Sequence, residues 1–197
     1  MRAGTLPANH RYLGPVLWST KTLLPDWWDH LPGDRPVIFI TLGSSGRADL
    51  LPKALEALAG LPVTVIAATA GKKVPGSVPG NAFLTDYLPA DSAIQRARAV
   101  ICNGGSLTSY QAFASGVPVI GLCSNMDQLL NMDAVVRLGA GIMLRADRSS
   151  SAGIVCAANS ILELEKFTQA ARRAGQALAH YDTKARFRNA IADILAA

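Results

Sequence analysis

Several residue types are scarce in this chain of 197 residues, and each scarcity removes a class of protein. There are three cysteines, an odd number with no CxxC spacing, which excludes a disulfide scaffold. Cys102, Cys123 and Cys156 lie in apolar stretches and are expected to be buried, reduced thiols of a cytoplasmic protein. The three histidines, His10, His30 and His180, stand far apart, and no His/Cys/Asp cluster has ligand spacing, so no metal site is expected. Long hydrophobic runs are lacking too: stretches such as Leu61–Ala70 and Gly116–Cys123 fall well short of the ~20 residues that span a bilayer. Met1 to Pro7 has no apolar segment of the kind a secretory signal needs. Charged residues make up 17% and aromatics 6%, while 50% of the chain is hydrophobic; that is the balance of a globular domain that folds on its own core.

Lys and Arg total 19 against 14 Asp and Glu, a net charge of +5 that suits an anionic ligand or a soluble surface. The one basic group, Arg172, Arg173, Lys184, Arg186 and Arg188, falls in a helical pattern and reads as a solvated face, so nucleic acid is not an expected partner.

Residues 1–35, rich in Pro, Trp and Gly, read as a lead-in or linker, and residues 36–197 as the domain proper. From Pro36 onward, short apolar runs alternate with helical stretches, the signature of βαβ units on a parallel sheet. The runs are Val37–Thr41, Val63–Thr69, Ala82–Thr85, Ala99–Cys102, Val117–Gly121 and Gly141–Leu144. Most are apolar throughout, as strands covered on both faces must be. Ala48–Ala59, Ser92–Ala97, Leu107–Ala114 and Asp127–Leu138 carry the three- and four-residue spacing of amphipathic helices. Two further helices are expected between Ser149 and Leu195, with a break near His180–Thr183. The fold class is therefore α/β, a Rossmann-like doubly wound parallel sheet with helices on both faces.

In such a sheet, ligands bind outside the carboxyl ends of the strands. Three loops there carry suitable chemistry. Leu42-Gly43-Ser44-Ser45-Gly46 lets the backbone approach a ligand and offers two hydroxyls, although a tight turn needs the same residues. Asn103-Gly104-Gly105-Ser106-Leu107-Thr108-Ser109 runs from an apolar strand into a Gly-Gly turn and a hydroxyl-rich helix start, which suits phosphate; Ser106 or Thr108 as a plain N-cap is the alternative. Asp127 and Gln128 open the next helix with an adjacent carboxylate and carboxamide. That pair suits the hydroxyls of a sugar, or a helix start with a favourable dipole contact.

Taken together, Tyr12-Leu13-Gly14-Pro15-Val16, PVIFITLGSS from Pro36, NAFLTDYLP from Asn81 and CNGGSLTSYQAFASGVP from Cys102, followed by Asp127-Gln128, Asn131 and Leu138-Gly139-Ala140-Gly141, resemble the donor-binding C-terminal domain of two-domain GT-B glycosyltransferases, in particular the UDP-glycosyltransferase and macrolide glycosyltransferase group. The resemblance implies that Tyr87 stacks on a nucleotide base with the Leu88 backbone beside it, that Ser44 and Ser45 approach the nucleotide, and that Asn103, Gly104, Gly105, Ser106, Thr108 and Ser109 cradle the diphosphate. It implies further that Gln111 faces the ribose and that Asp127 and Gln128 hold the donor sugar. The donor would be a UDP- or dTDP-sugar, with no cofactor and no metal, and transfer would proceed with inversion. The catalytic base would lie in an acceptor-binding N-terminal domain, in the same chain or a separate subunit.

The sequence departs from that pattern at three positions: Asn103 stands for a usual histidine, Leu107 for a small or amide residue and Gln111 for a glutamate. These departures motivate an alternative, a non-catalytic nucleotide-sugar binding domain; half of a GT-B nucleotide-sugar epimerase is a further one. Trp18, Trp27 and Trp28 either mark where another domain packs or anchor the lead-in.

Overall fold

The structure, a computed structural model, describes residues 7, 10–43, 46–47, 49–74 and 76–196. Six strands, β1 (Val37–Thr41), β2 (Thr64–Ala68), β3 (Ala82–Thr85), β4 (Ala97–Cys102), β5 (Val119–Cys123) and β6 (Gly141–Arg145), form one sheet in the order β3-β2-β1-β4-β5-β6. All neighbours are parallel. The crossover helices are α1 (Leu50–Leu58), α2 (Ala90–Arg96), α3 (Ser106–Ala114) and α4 (Met126–Arg137). This is the doubly wound order, with its switch point between β1 and β4.

Side chains alternate across each strand and so build two cores. Ile38 and Ile40, with Ile101, Ile120 and Leu122, face α1 and the later helix α5 (Ser151–Glu163). Phe39, Val100, Cys102, Val119 and Cys123 face the opposite layer of α2, α3, α4 and α6 (Glu165–Ala179). Fully burying side chains of this size contributes ~1.5–3 kcal/mol each, so the central strands are anchored from both faces. Burial pushes the Cys102 thiol up to about 12 and the Cys123 thiol up to about 11, because a thiolate there would lose its solvation.

Three sequence expectations need correcting, and one open alternative is decided. β5 starts two residues later than Val117, because the Val117 N–H donates back to the Ala112 carbonyl at 2.9 Å and closes the turn after α3, and Pro118 has no N–H to give the sheet. The carboxyl-terminal region holds three helices rather than two, since Leu164 is extended and separates α5 from α6 before α7 (Thr183–Leu195) follows. The break lets α6 cross α3 at Gly175, where any Cβ would sit 2.0 Å from the Phe113 carbonyl oxygen. Cys156 is exposed on the outer side of α5 rather than buried. Finally, the tryptophans divide: Trp28 is buried beneath Arg96, whose guanidinium lies 4.4 Å from the ring centroid, and Trp27 lies 5.6 Å from Phe83, while Trp18 is 62% exposed. Trp27 and Trp28 thus anchor the lead-in. Among the described residues no helix is long and apolar enough to cross a membrane, and no group of three or more His, Cys, Asp or Glu is placed to hold a metal ion.

Candidate functional site

Thr41, at the end of β1, and Cys102, at the end of β4, are register partners, so the two loops that follow them open side by side at the switch point. The second is the glycine turn. Gly104 adopts φ +85°, a conformation that favours glycine, and a Cβ there would come within 2.7 Å of Cys123 Sγ and 2.9 Å of Met132 Cγ. Gly105 stands at the N-cap of α3, where it brings no side chain of its own, so neither Ser106 nor Thr108 caps the helix. The first-turn N–H groups of α3 therefore face outward beyond the strand ends, with the positive end of the helix dipole behind them.

The turn is held from below and from the side. Asn103 is buried, and its side-chain oxygen accepts from the Gly105 N–H at 3.0 Å. Its amide nitrogen lies 3.7 Å from the point a Cβ on Gly43 would occupy, so Asn103 spans the gap to the first loop. Ser109 is fully buried and donates to the Gly105 carbonyl at 2.9 Å. From α4, Asn131 donates to the Gly104 carbonyl at 2.8 Å and to the Ser109 hydroxyl at 3.1 Å. Ser109 consequently lies under the turn as a brace, while Ser106 is exposed and Thr108 half-buried at its rim. The bracing role of Asn131 is not readable from the sequence, since it depends on how α4 packs beside α3.

Asn125 caps α4, its side chain accepting from the Gln128 N–H at 3.0 Å. Asp127 and Gln128 then diverge. Asp127 is exposed at the helix start, whereas Gln128 is 2% exposed and its side-chain oxygen accepts from the N–H and hydroxyl of Ser124. Asp127 is left as the member of the pair that faces outward.

At the β3 end, Thr69 donates to the Asp86 carboxylate at 2.8 Å and the Ala70 N–H to the Asp86 carbonyl at 2.8 Å, fixing the loop that carries Tyr87. The Tyr87 ring is 54% exposed, and its hydroxyl lies 3.4 Å from the Cβ position of Gly71. Leu88 is buried in the core, which leaves its backbone for any contact. Gln111 lies in the middle of α3, and its amide nitrogen donates to the Trp18 carbonyl of the lead-in. Ser44 and Ser45 lie outside the described residues.

Sequence reasoning missed one pair of features at the rim. The tripeptide Arg-Ala-Asp occurs at residues 47–49 and again at 145–147, and both times the arginine makes a two-bond contact to its aspartate. Each arginine holds its carboxylate below the usual range. Arg47, Arg145 and Asp147 line a cavity of about 190 Å³ with Cys123 and Ser124, and the repeated spacing was the available signal.

Residues 52–185 match the family described as the erythromycin biosynthesis protein CIII-like C-terminal domain. The chain is 58% identical over 172 residues to a PGL/p-HBAD biosynthesis glycosyltransferase of Mycobacterium tuberculosis (strain ATCC 25177 / H37Ra), covering 87% of this chain and 40% of that protein. It is 54% identical over 172 residues to a PGL/p-HBAD biosynthesis rhamnosyltransferase of Mycobacterium bovis (strain BCG / Pasteur 1173P2), again over 87% of this chain and 38% of the relative. The chain thus spans about two fifths of the length of the curated relatives it matches. Among solved structures, it superposes on the spinosyn rhamnosyltransferase SpnG complexed with thymidine diphosphate with a TM-score of 0.70 at 24% identity, covering 80% of this chain and 45% of that one. The architecture is that of the carboxyl-terminal half of a GT-B glycosyltransferase.

Proposed function

Because the chain belongs to the erythromycin biosynthesis protein CIII-like C-terminal domain family, we propose that it is the donor-binding part of a glycosyltransferase that uses a nucleotide sugar. The observation that carries this reading is the glycine turn at the switch point: a buried, braced loop whose Gly104 admits no side chain, leading into a helix start with outward-facing N–H groups. A diphosphate is the anion this arrangement suits. Tyr87 and the Leu88 backbone, on the loop after β3 at the same end of the sheet, would take the base, and the exposed carboxylate of Asp127 would accept from sugar hydroxyls.

In the reaction an acceptor hydroxyl attacks the anomeric carbon from the face opposite the diphosphate. The new carbon–oxygen bond forms as the old one breaks, its electron pair departs on the diphosphate oxygen, and the configuration inverts. The acceptor's proton passes to a base in the part of the enzyme beyond this domain. Charge grows on the leaving diphosphate, where the first-turn N–H groups of α3 meet it without having to reorganise. Transfer is therefore expected to need no divalent cation. The thymidine diphosphate held by the structural neighbour and the rhamnosyltransferase name of one relative favour a thymidine-linked deoxysugar as donor.

Calorimetric titration with thymidine, uridine and guanosine diphosphates, each with and without magnesium, tests the reading. One-to-one binding of thymidine or uridine diphosphate, unchanged by magnesium, is expected. Binding of none, or binding that depends on magnesium, would contradict it.

A further inference from the structure

Two hydrogen bonds between remote parts of the chain pin the lead-in over the carboxyl side of the sheet. The Gln111 amide, in the middle of α3, donates to the Trp18 carbonyl, and the Ser19 hydroxyl donates to the Asp91 carboxylate at 2.8 Å. They link positions 93 and 72 residues apart, so they report tertiary placement and not local turn geometry. The Ser19 hydroxyl, aided by the Ser92 N–H, holds the Asp91 carboxyl below the usual carboxylate range, consistent with a charged acceptor in that bond.

Beside the pinned segment lies an open groove of about 520 Å³ with two walls: Ser19, Thr20, Lys21, Thr22 and Leu23 on one side, and Pro89, Asp91 and Ser92 on the other. The second wall continues directly from Tyr87-Leu88. The groove's volume falls within the ~300–1,000 Å³ range of small-ligand sites, and beside Ser19, whose hydroxyl is engaged with Asp91, its lead-in wall carries the hydroxyls of Thr20 and Thr22, which can read the polar edge of a base.

The identity of residue 111 fits the same arrangement. A carboxamide can donate to a backbone carbonyl, whereas a carboxylate has only acceptors and would repel that carbonyl. The neutral Gln111, where the related pattern has glutamate, is thus the residue type that lets the lead-in dock on α3.

We propose that residues 18–23 form the outer wall of the nucleoside subsite, and that Gln111 and Ser19 are positioning residues that hold this wall in place. The proposal rests on the donor-site reading above, and it assigns base recognition partly to a segment outside the α/β core.

The test compares the wild-type chain with Gln111→Glu and Ser19→Ala, titrated with thymidine diphosphate, uridine diphosphate and inorganic pyrophosphate, and digested with trypsin, which cuts after Lys21. Each variant removes one latch and should weaken nucleoside diphosphate binding by about three- to tenfold while leaving pyrophosphate binding unchanged. Cleavage after Lys21 should be faster in both variants, and nucleoside diphosphate should slow it in the wild type. Unchanged nucleoside diphosphate affinity in both variants, or an equal loss for pyrophosphate, would overturn the wall. A wild-type chain that binds neither pyrophosphate nor nucleoside diphosphate would overturn the donor-site reading as well, which separates the two failures.

Discussion

The turns that open α3 and α4 share one plan, a strand end, an asparagine and a helix start, yet they are held in different ways. The β4–α3 turn has local bonds from Asn103 and Ser109 but is also braced by other parts of the molecule: Asn131 reaches it from 27 residues away, and Cys123 and Met132 close the space behind Gly104. The β5–α4 turn is fixed by its own residues, Ser124, Asn125 and Gln128, all within four positions of one another. A turn built by the whole fold is preorganised and intolerant of change, which suits the invariant part of a ligand such as a diphosphate. A locally built turn can alter the residue it presents, here Asp127, without disturbing the rest, and that suits the variable part, a sugar.

Gly104→Val should produce the largest effect that follows from this contrast. It combines a left-handed backbone with a collision against Cys123 and Met132, and a loss of ~2–5 kcal/mol of stability is expected in denaturant unfolding. A loss below about 1 kcal/mol would mean that the turn is not braced as described. Asn131→Ala comes next. It leaves the Gly104 carbonyl and the Ser109 hydroxyl without their α4 partner, at a cost of ~1–3 kcal/mol, and it should weaken diphosphate binding although residue 131 lies in a different helix from the turn. Asp127→Ala should leave stability within ~0.5 kcal/mol, because the side chain is exposed, and should weaken nucleotide-sugar binding by ~1–3 kcal/mol while sparing free nucleotide. Equal losses for both ligands would remove Asp127 from the sugar.

A last effect, confined to alkaline solution, is on pH dependence. Cys102 and Cys123 titrate higher in the folded chain than when unfolded, so their contribution is complete below pH ~9 and is lost as pH rises towards about 11 and 12. Unfolding curves at successive pH values should show stability falling above pH ~9, and Cys102→Ala should flatten that fall.

Much of the fold was legible because its strands are apolar on both faces and its crossover helices are amphipathic, and the glycine turn was legible because strand, Gly-Gly and hydroxyl-rich helix start adjoin in sequence. What the sequence left open depends on contacts between remote residues. Nothing at Leu164 marks a helix break; the break serves the approach of α6 to α3 at Gly175. Gln128 reads as an outward partner of Asp127 until the capping geometry turns its side chain inward, and Ser109 reads as a phosphate ligand until Asn131 is found holding it beneath the turn. The partner of Gln111 belongs to the lead-in, a segment whose path over the domain no periodicity could reveal.

The measurement that bears most directly on the central claim is thymidine diphosphate binding by the wild-type chain and by Gly105→Val. Residue 105 has an ordinary φ of −69°, and a Cβ there meets only Asn103 Oδ1 at 3.1 Å, so the variant should fold. If the diphosphate rests on this turn, the wild type binds one nucleotide and the variant, with unchanged thermal unfolding, binds none. Undiminished binding by a folded Gly105→Val chain would place the diphosphate elsewhere and contradict the account.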